Sequence, residues 1–281
     1  MNDSTQLPLI IEPEALQALL ESGRPLIVDL SQPETYIKHH VPGAVFLEYP
    51  WIVHRAPPVM GLLPDARQLS NVLGAVGLTP DTHVVAYDDE GGGRACRFLW
   101  TLDTVGHTRY SLLNGGTHAW VSEGHSVTDA IAVPRPVEYS AHLVERPVAD
   151  RRYILDHMED PGVAILDTRS PEEYSGAKVY AQRGGHIPGA VNLEWTRAMD
   201  KTRNLRLRPA DELHAMLAAL GITPDKTVIT HCQTHHRSAH TYIVLKSLGF
   251  KDVRGYPGSW SEWGNRSDTP VQEGRGALPA G

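Results

Sequence analysis

An internal repeat restricts the fold more than any other feature of the chain. The stretch LIVDLSQPETYIKHHVPGAVFLEYPW, from Leu26 to Trp51, is matched by AILDTRSPEEYSGAKVYAQRGGHIPGAVNLEW, from Ala164 to Trp195. The second copy carries eight additional residues between Tyr174 and His186. Further on, GLTPDTHVVAYDDEGGGRACRFLW (from Gly77) aligns without a gap with GITPDKTVITHCQTHHRSAHTYIV (from Gly221). Gly106, Gly115 and Trp120 then find counterparts in Gly249, Gly258 and Trp263. Order and spacing hold throughout, so the chain is a tandem duplication, and its 281 residues suffice for two cores. The expected division is 1–126, a connector 127–150 with three prolines, and 151–281.

Within each copy, short β-branched runs alternate with helical spacing. Strands are expected at Leu26–Leu30, Val45–Leu47 and Val84–Tyr87, and again at Val163–Asp167, Val191–Leu193 and Val228–His231. Helices are expected over Glu12–Ser22, Asp65–Val76, Ala95–Thr104, Pro209–Leu220 and Ala239–Leu248. Continuous apolar strands separated by helices imply an α/β fold, two domains each with a mainly parallel sheet flanked by helices on both faces. A site in such a fold lies beyond the carboxyl ends of the strands.

Composition narrows the function. The net charge of −7 offers no footprint for nucleic acid, and an anionic substrate must be held by a local cluster. No run is long enough to span a membrane. The start, MNDSTQLPLIIEPE, lacks a basic region followed by a long apolar one, and the two cysteines, Cys96 and Cys232, read as free thiols. A cytoplasmic setting is expected.

Chemistry concentrates in HCQTHHRS, from His231 to Ser238, where a strand ends and a helix begins. A short loop of this kind turns successive N–H groups into one bowl, and the helix start adds roughly half a positive charge. A cysteine at the rim has its thiolate stabilised there. Arg237 and the histidines beside it add donors. Cys232 is therefore a candidate nucleophile for an anionic donor. The first copy has Asp88 at this position, which cannot form a persulfide. Cys96 falls inside the following helix, opposite His240 in the second copy, and reads as core. A metal site built from His231, Cys232, His235, His236 and His240 is the alternative, disfavoured because a coordinated sulfur is no free nucleophile. Neither a metal nor a cofactor is expected. GGGR, at Gly91–Arg94, lacks a phosphate-loop lysine and spacing.

The repeated segment containing S-P-E-E-Y and G-H-I-P-G-A, the strand–cysteine loop–helix, and the terminal Gly-Ser-Trp-x-x-Trp resemble tandem rhodanese sulfurtransferases. CQTHHRS is similar to the loop of a bacterial thiosulfate:cyanide sulfurtransferase subgroup. The resemblance implies an inactive first domain and an active second one, working by double displacement. Cys232 takes the outer sulfur of thiosulfate as a persulfide, then passes it to cyanide, a thiol or a protein acceptor. It implies that Gln233, Thr234, His235, His236 and Arg237 surround the substrate and that Trp195, with Glu194, lines the site. It further implies that Asp167 and Arg169 orient the loop through an ion pair, with Ser238 in support. A monomer is expected. Relatives that use mercaptopyruvate have an arginine where this chain has Glu173, which favours thiosulfate. Phosphatases of this fold place five residues between cysteine and arginine, against four here.

Overall fold

The computed structural model describes residues 7–22 and 25–274. They form two compact units. The first comprises the described residues through Ile52, then Pro64–Val144 and Asp200–Leu207. The second comprises Val53–Leu63, Glu145–Met199 and the chain from Arg208 onward. Each unit thus includes a short segment that lies, in sequence, within the opposite copy.

In the first unit, β1 (Ile10–Ile11), β2 (Leu26–Asp29), β3 (Val45–Phe46), β6 (Val84–Tyr87) and β7 (Tyr110–Leu113) form one parallel sheet. Its order is β1-β7-β6-β2-β3. The intervening β4 (His54–Ala56) and β5 (Val59–Leu62) make an antiparallel hairpin that belongs to the second unit. There the main sheet contains β8 (Val163–Asp167), β9 (Val191–Asn192), β10 (Thr227–His231) and β11 (Asp252–Gly255). Its order is β11-β10-β8-β9, again parallel. Four strands of the first sheet therefore have counterparts in the same order in the second, as the repeat requires.

The central strands are buried on both faces: β6 along its whole length and β10 along all but its first residue. Helices cover them. In the first unit these are α1 (Pro13–Gln17), α2 (Pro33–Lys38), α3 (Ala66–Ala75), α4 (Gly93–Thr104) and α5 (Gly116–Ser122). In the second they are α6 (Arg151–His157), α7 (Pro171–Ser175), α8 (Ala210–Ala218), α9 (Arg237–Ser247) and α10 (Ser259–Trp263). Asp65 caps α3 by accepting the Gln68 N–H at 2.7 Å, which satisfies one of the orphan donors of a helix start. The helix expected over residues 12–22 ends at Gln17 and is followed by a separate 3₁₀ turn at Leu20–Ser22.

One core cluster in the second unit gathers Ile154, Ile165, Tyr174, Ile187, Ile229, Trp260 and Trp263 around its sheet. Its counterpart in the first gathers Leu16, Ile27, Val85, Leu113 and Trp120. Ile229 and Val85 lie two residues before the ends of β10 and β6, so the well-packed core holds the strand ends from which each loop departs. Among the described residues, no helix is long and apolar enough to cross a membrane.

Candidate active site

β10 delivers the chain at His231, and α9 takes it up at Arg237. The sulfur of Cys232 is buried, with the residue 1% exposed. Burial alone pushes a thiol up, because a thiolate loses its water. Here burial is outweighed by the Arg237 guanidinium, the Ser238 hydroxyl, and the Ser238 and Thr234 N–H groups, which bring the thiol down to about 7. The bowl read from the sequence is therefore built from backbone donors at the helix start plus one guanidinium.

The loop is held on its outer side. The Cys232 N–H donates to Ser259 Oγ at 3.3 Å, and the Trp260 and Ser261 N–H groups donate to the Cys232 and Gln233 carbonyls, each at 2.9 Å. Gln233 Nε2 donates to the Tyr180 carbonyl at 3.2 Å, within the additional residues of the second copy. His235 adopts a left-handed φ of 53°, a conformation that costs a non-glycine residue on the order of 1 kcal/mol. Its ring is fully buried, with Nδ1 2.8 Å from Ser238 Oγ. His235 therefore braces the loop from inside.

Arg237 is itself held. Its Nη1 and Nη2 donate to Glu173 Oε2 and Oε1 at 2.7 and 2.9 Å, a two-pronged pair that fixes the plane of the guanidinium. Glu173 is in turn anchored by a capping box at the start of α7, receiving the Ser170 N–H while Ser170 Oγ receives the Glu173 N–H. In the sequence Glu173 is legible only as a position where an arginine is absent. The S-x-x-E spacing from Ser170 was the signal for its helix-capping role; nothing in the spacing foretold its partner 64 residues away.

Beneath the loop, Asp167 and Arg169 form the expected ion pair, fully buried, with Arg169 Nε 3.0 Å from both carboxylate oxygens and Nη2 2.5 Å from Oδ2. Arg169 also donates to the Gly185 carbonyl at 2.7 Å and lies 4.4 Å from the Trp260 ring centre. Burial works against the Asp167 carboxylate, yet His231 and Arg169 outweigh it and leave it below the ordinary range. His231 Nε2 lies 3.6 Å from Asp167 Oδ2. Burial brings this imidazole down to about 4 despite the carboxylate, so His231 is neutral near pH 7. Trp195 is half-buried, its ring 6.1 Å from His236 and 5.4 Å, edge-on, from His240. His231 thus faces Asp167 and His235 faces Ser238, while His236 and His240 share the Trp195 ring. Among the described residues, the group whose carboxylate and imidazole atoms converge is Glu14, Glu123 and His125, in the first unit. There Arg206 already bonds both carboxylates.

The first unit provides a comparison at the same fold position. Asp88 is fully buried after β6, its Oδ1 accepting the Glu90 and Gly92 N–H groups at 3.0 and 2.7 Å and its Oδ2 the Ala95 N–H at 2.9 Å. The bowl survives in this copy, filled by the carboxylate of its own chain. Burial and the Glu90 charge raise Asp88 to about 6 despite those donors. Arg94, one residue beyond the counterpart of Arg237, is engaged by Asp89 and Glu90. Cys96 is fully buried and pushed well above the ordinary thiol range by desolvation, then by Asp88 and Glu90.

Residues 12–123 and 150–266 each match the rhodanese-like domain. The chain belongs to the rhodanese family. It is an enzyme of the sulfurtransferase class. It is 48% identical over 274 residues to a thiosulfate sulfurtransferase of Azotobacter vinelandii, covering 97% of this chain and 100% of that one. A thiosulfate sulfurtransferase of Pseudomonas aeruginosa is 45% identical, with the same coverage. A sulfur carrier protein of Thermus thermophilus is 31% identical, over 95% of this chain and 97% of its own. Among solved structures, a complex of EanB with ergothioneine superposes with a TM-score of 0.86 at 23% identity, covering 98% of this chain and 72% of that one, a likeness of fold.

Proposed function

We propose that the protein moves the outer sulfur of thiosulfate through a persulfide on Cys232 to cyanide or a thiol acceptor. The observation that carries this reading is a buried sulfur ringed by N–H donors and Arg237, with its thiol brought down to about 7. In the first half-reaction the Cys232 thiolate attacks the outer sulfur, the sulfur–sulfur bond of thiosulfate breaks, and sulfite leaves with the bonding electron pair. In the second, the acceptor attacks the outer sulfur of the persulfide and the Cys232 thiolate departs, ready for another turn. Cyanide then leaves as thiocyanate. The names of the two bacterial relatives support thiosulfate as donor.

In this reading Thr234, Arg237 and Ser238 stabilise negative charge on sulfur in both half-reactions, and no metal or cofactor takes part. Gln233, His236 and Trp195 border the substrate, while His235, Asp167 and Arg169 hold the loop. Residues 151–281 carry the chemistry, residues 1–126 the silent copy, and the chain works as a cytoplasmic monomer. The sulfur carrier among the relatives favours a protein thiol as one acceptor. Intact mass after thiosulfate treatment tests the reading, together with thiocyanate formation from thiosulfate and cyanide. Wild type and Cys96→Ala gain one sulfur atom and turn over; Cys232→Ala does neither. Retained turnover in Cys232→Ala overturns the mechanism.

A further inference from the structure

The loop that holds Cys232 is gripped by a strand encoded about 170 residues earlier. Gly61, in β5, is buried against it. A Cβ at Gly61 would fall 2.2 Å from the Thr234 carbonyl oxygen and 2.8 Å from that of Pro257. Both neighbours are backbone, so neither can swing aside as a side chain would. Beside it, the Met60 N–H donates to Ser261 Oγ at 3.1 Å, and the Ser261 N–H donates to the Gln233 carbonyl at 2.9 Å. A trans peptide points its N–H opposite to its C=O. Holding the Gln233 carbonyl outward therefore turns the Thr234 N–H inward, toward the sulfur it stabilises. Close packing of Gly61 on the Thr234 carbonyl fixes the next peptide, which leads into the left-handed His235.

We propose that Gly61 is a positioning residue for sulfur transfer: lacking a side chain, it lets β5 clamp the Gln233–Thr234–His235 backbone with the Thr234 N–H on Cys232. The proposal rests on the persulfide reading for its role in turnover. Any larger residue at position 61 displaces Thr234, lengthens its hydrogen bond to sulfur, and costs the thiolate part of its stabilisation.

The test is iodoacetamide alkylation of the full chain across the neutral pH range, read by intact mass, for wild type, Gly61→Ala, Val59→Ala and Ser261→Ala. Cys96, which desolvation and then Asp88 and Glu90 hold protonated well above the ordinary thiol range, stays silent. In Gly61→Ala the midpoint rises by about one unit, so the alkaline plateau rises roughly threefold, alkylation near pH 7 still slows roughly twofold, and far-UV circular dichroism stays as in wild type. Val59→Ala keeps the wild-type midpoint. Ser261→Ala removes the acceptor of the Met60 N–H but keeps its own bond to Gln233, and shifts the midpoint the same way by less. A wild-type midpoint in Gly61→Ala overturns the proposal. Should Gly61→Ala fail to fold, Ser261→Ala decides alone, an unmoved midpoint overturning the clamp. Failure of wild type to gain sulfur from thiosulfate would instead refute the persulfide reading, while the alkylation midpoints still report on the clamp.

Discussion

Replacing Arg237 by Gln removes the cation that contributes most to holding the Cys232 thiol down. The drop from the ordinary 9.0 to about 7 is a gain for the thiolate of about 2.7 kcal/mol at 1.36 kcal/mol per unit. Burial opposes that gain, so the favourable contacts together exceed it, and Arg237 leads them. The midpoint in Arg237→Gln is therefore expected to rise by about one unit or more. Half the sulfur is thiolate near pH 7 in wild type; about a tenth remains in the variant, and since that thiolate is the more reactive one, alkylation there slows by only roughly twofold. A thiolate of higher pKa is also the stronger nucleophile, so the alkaline plateau rises rather than falls. Slower near pH 7 and faster at high pH distinguishes lost charge from a damaged loop, which slows both. Glu173→Gln works in the opposite direction. It keeps an oxygen for the Ser170 N–H but removes the charge that partly neutralises Arg237, so the midpoint falls by a few tenths of a unit. In Arg237→Gln the stranded Glu173 charge adds to the rise, and the double variant lies between the two singles. Shifts of the same sign in the two single variants, or an unmoved midpoint in Arg237→Gln, would refute the electrostatic account.

Three further outcomes follow from the buried groups. Asp167→Ala leaves the Arg169 guanidinium buried without its carboxylate, and urea denaturation should show a loss of about 3–5 kcal/mol; a loss below about 1 kcal/mol would mean that the Gly185 carbonyl and the Trp260 ring suffice. His231 titrates at about 4 in the folded chain against an ordinary 6.5, so the unfolded chain takes up the proton first as pH falls. Its contribution, about 3 kcal/mol by linkage, is full above pH 6.5 and lost as pH drops toward 4, and His231→Gln should flatten that part of the urea profile. Finally, Asp88→Cys combined with Cys232→Ala should not restore sulfur transfer: a cysteine there meets N–H groups but has Gly93 where the second copy has Arg237, and intact mass after thiosulfate checks it.

The repeat made most of this architecture legible, because each of the three strands read in the first copy recurs in the second. β7 and β11 escaped notice: YSLL and DVRG carry little β-branched pattern, and only pairing with β6 and β10 makes them strands. The hairpin at residues 54–62 escaped because paired prolines, Pro57 and Pro58, read as a loop. Within the site, Cys232 and Arg237 were readable because local spacing places them at a strand end and a helix start, and the Asp167–Arg169 pair because the family resemblance implied it. Glu173, Ser259 and Gly61 were not, since each acts on the loop from an element remote in sequence. The histidines, crowded in sequence, are divided by the fold: His231 lies beside Asp167, the left-handed His235 beside Ser238, and His236 and His240 against Trp195.

The segment from Val53 to Leu63 has a consequence for how such a gene can evolve. A duplicated gene whose first half carries Asp88 where the second carries Cys232 would ordinarily be free to shed that half. Here, trimming the first copy would also delete the strand that packs on the Thr234 carbonyl. Asp200–Leu207 stands in the converse relation, its Arg206 bound to Glu12, Glu14 and Glu123 of the first unit. Each half owes the other a piece of its own architecture, so a deletion in either injures both. The duplication has become a mutual dependence, in which each half is unfinished without a segment of the other.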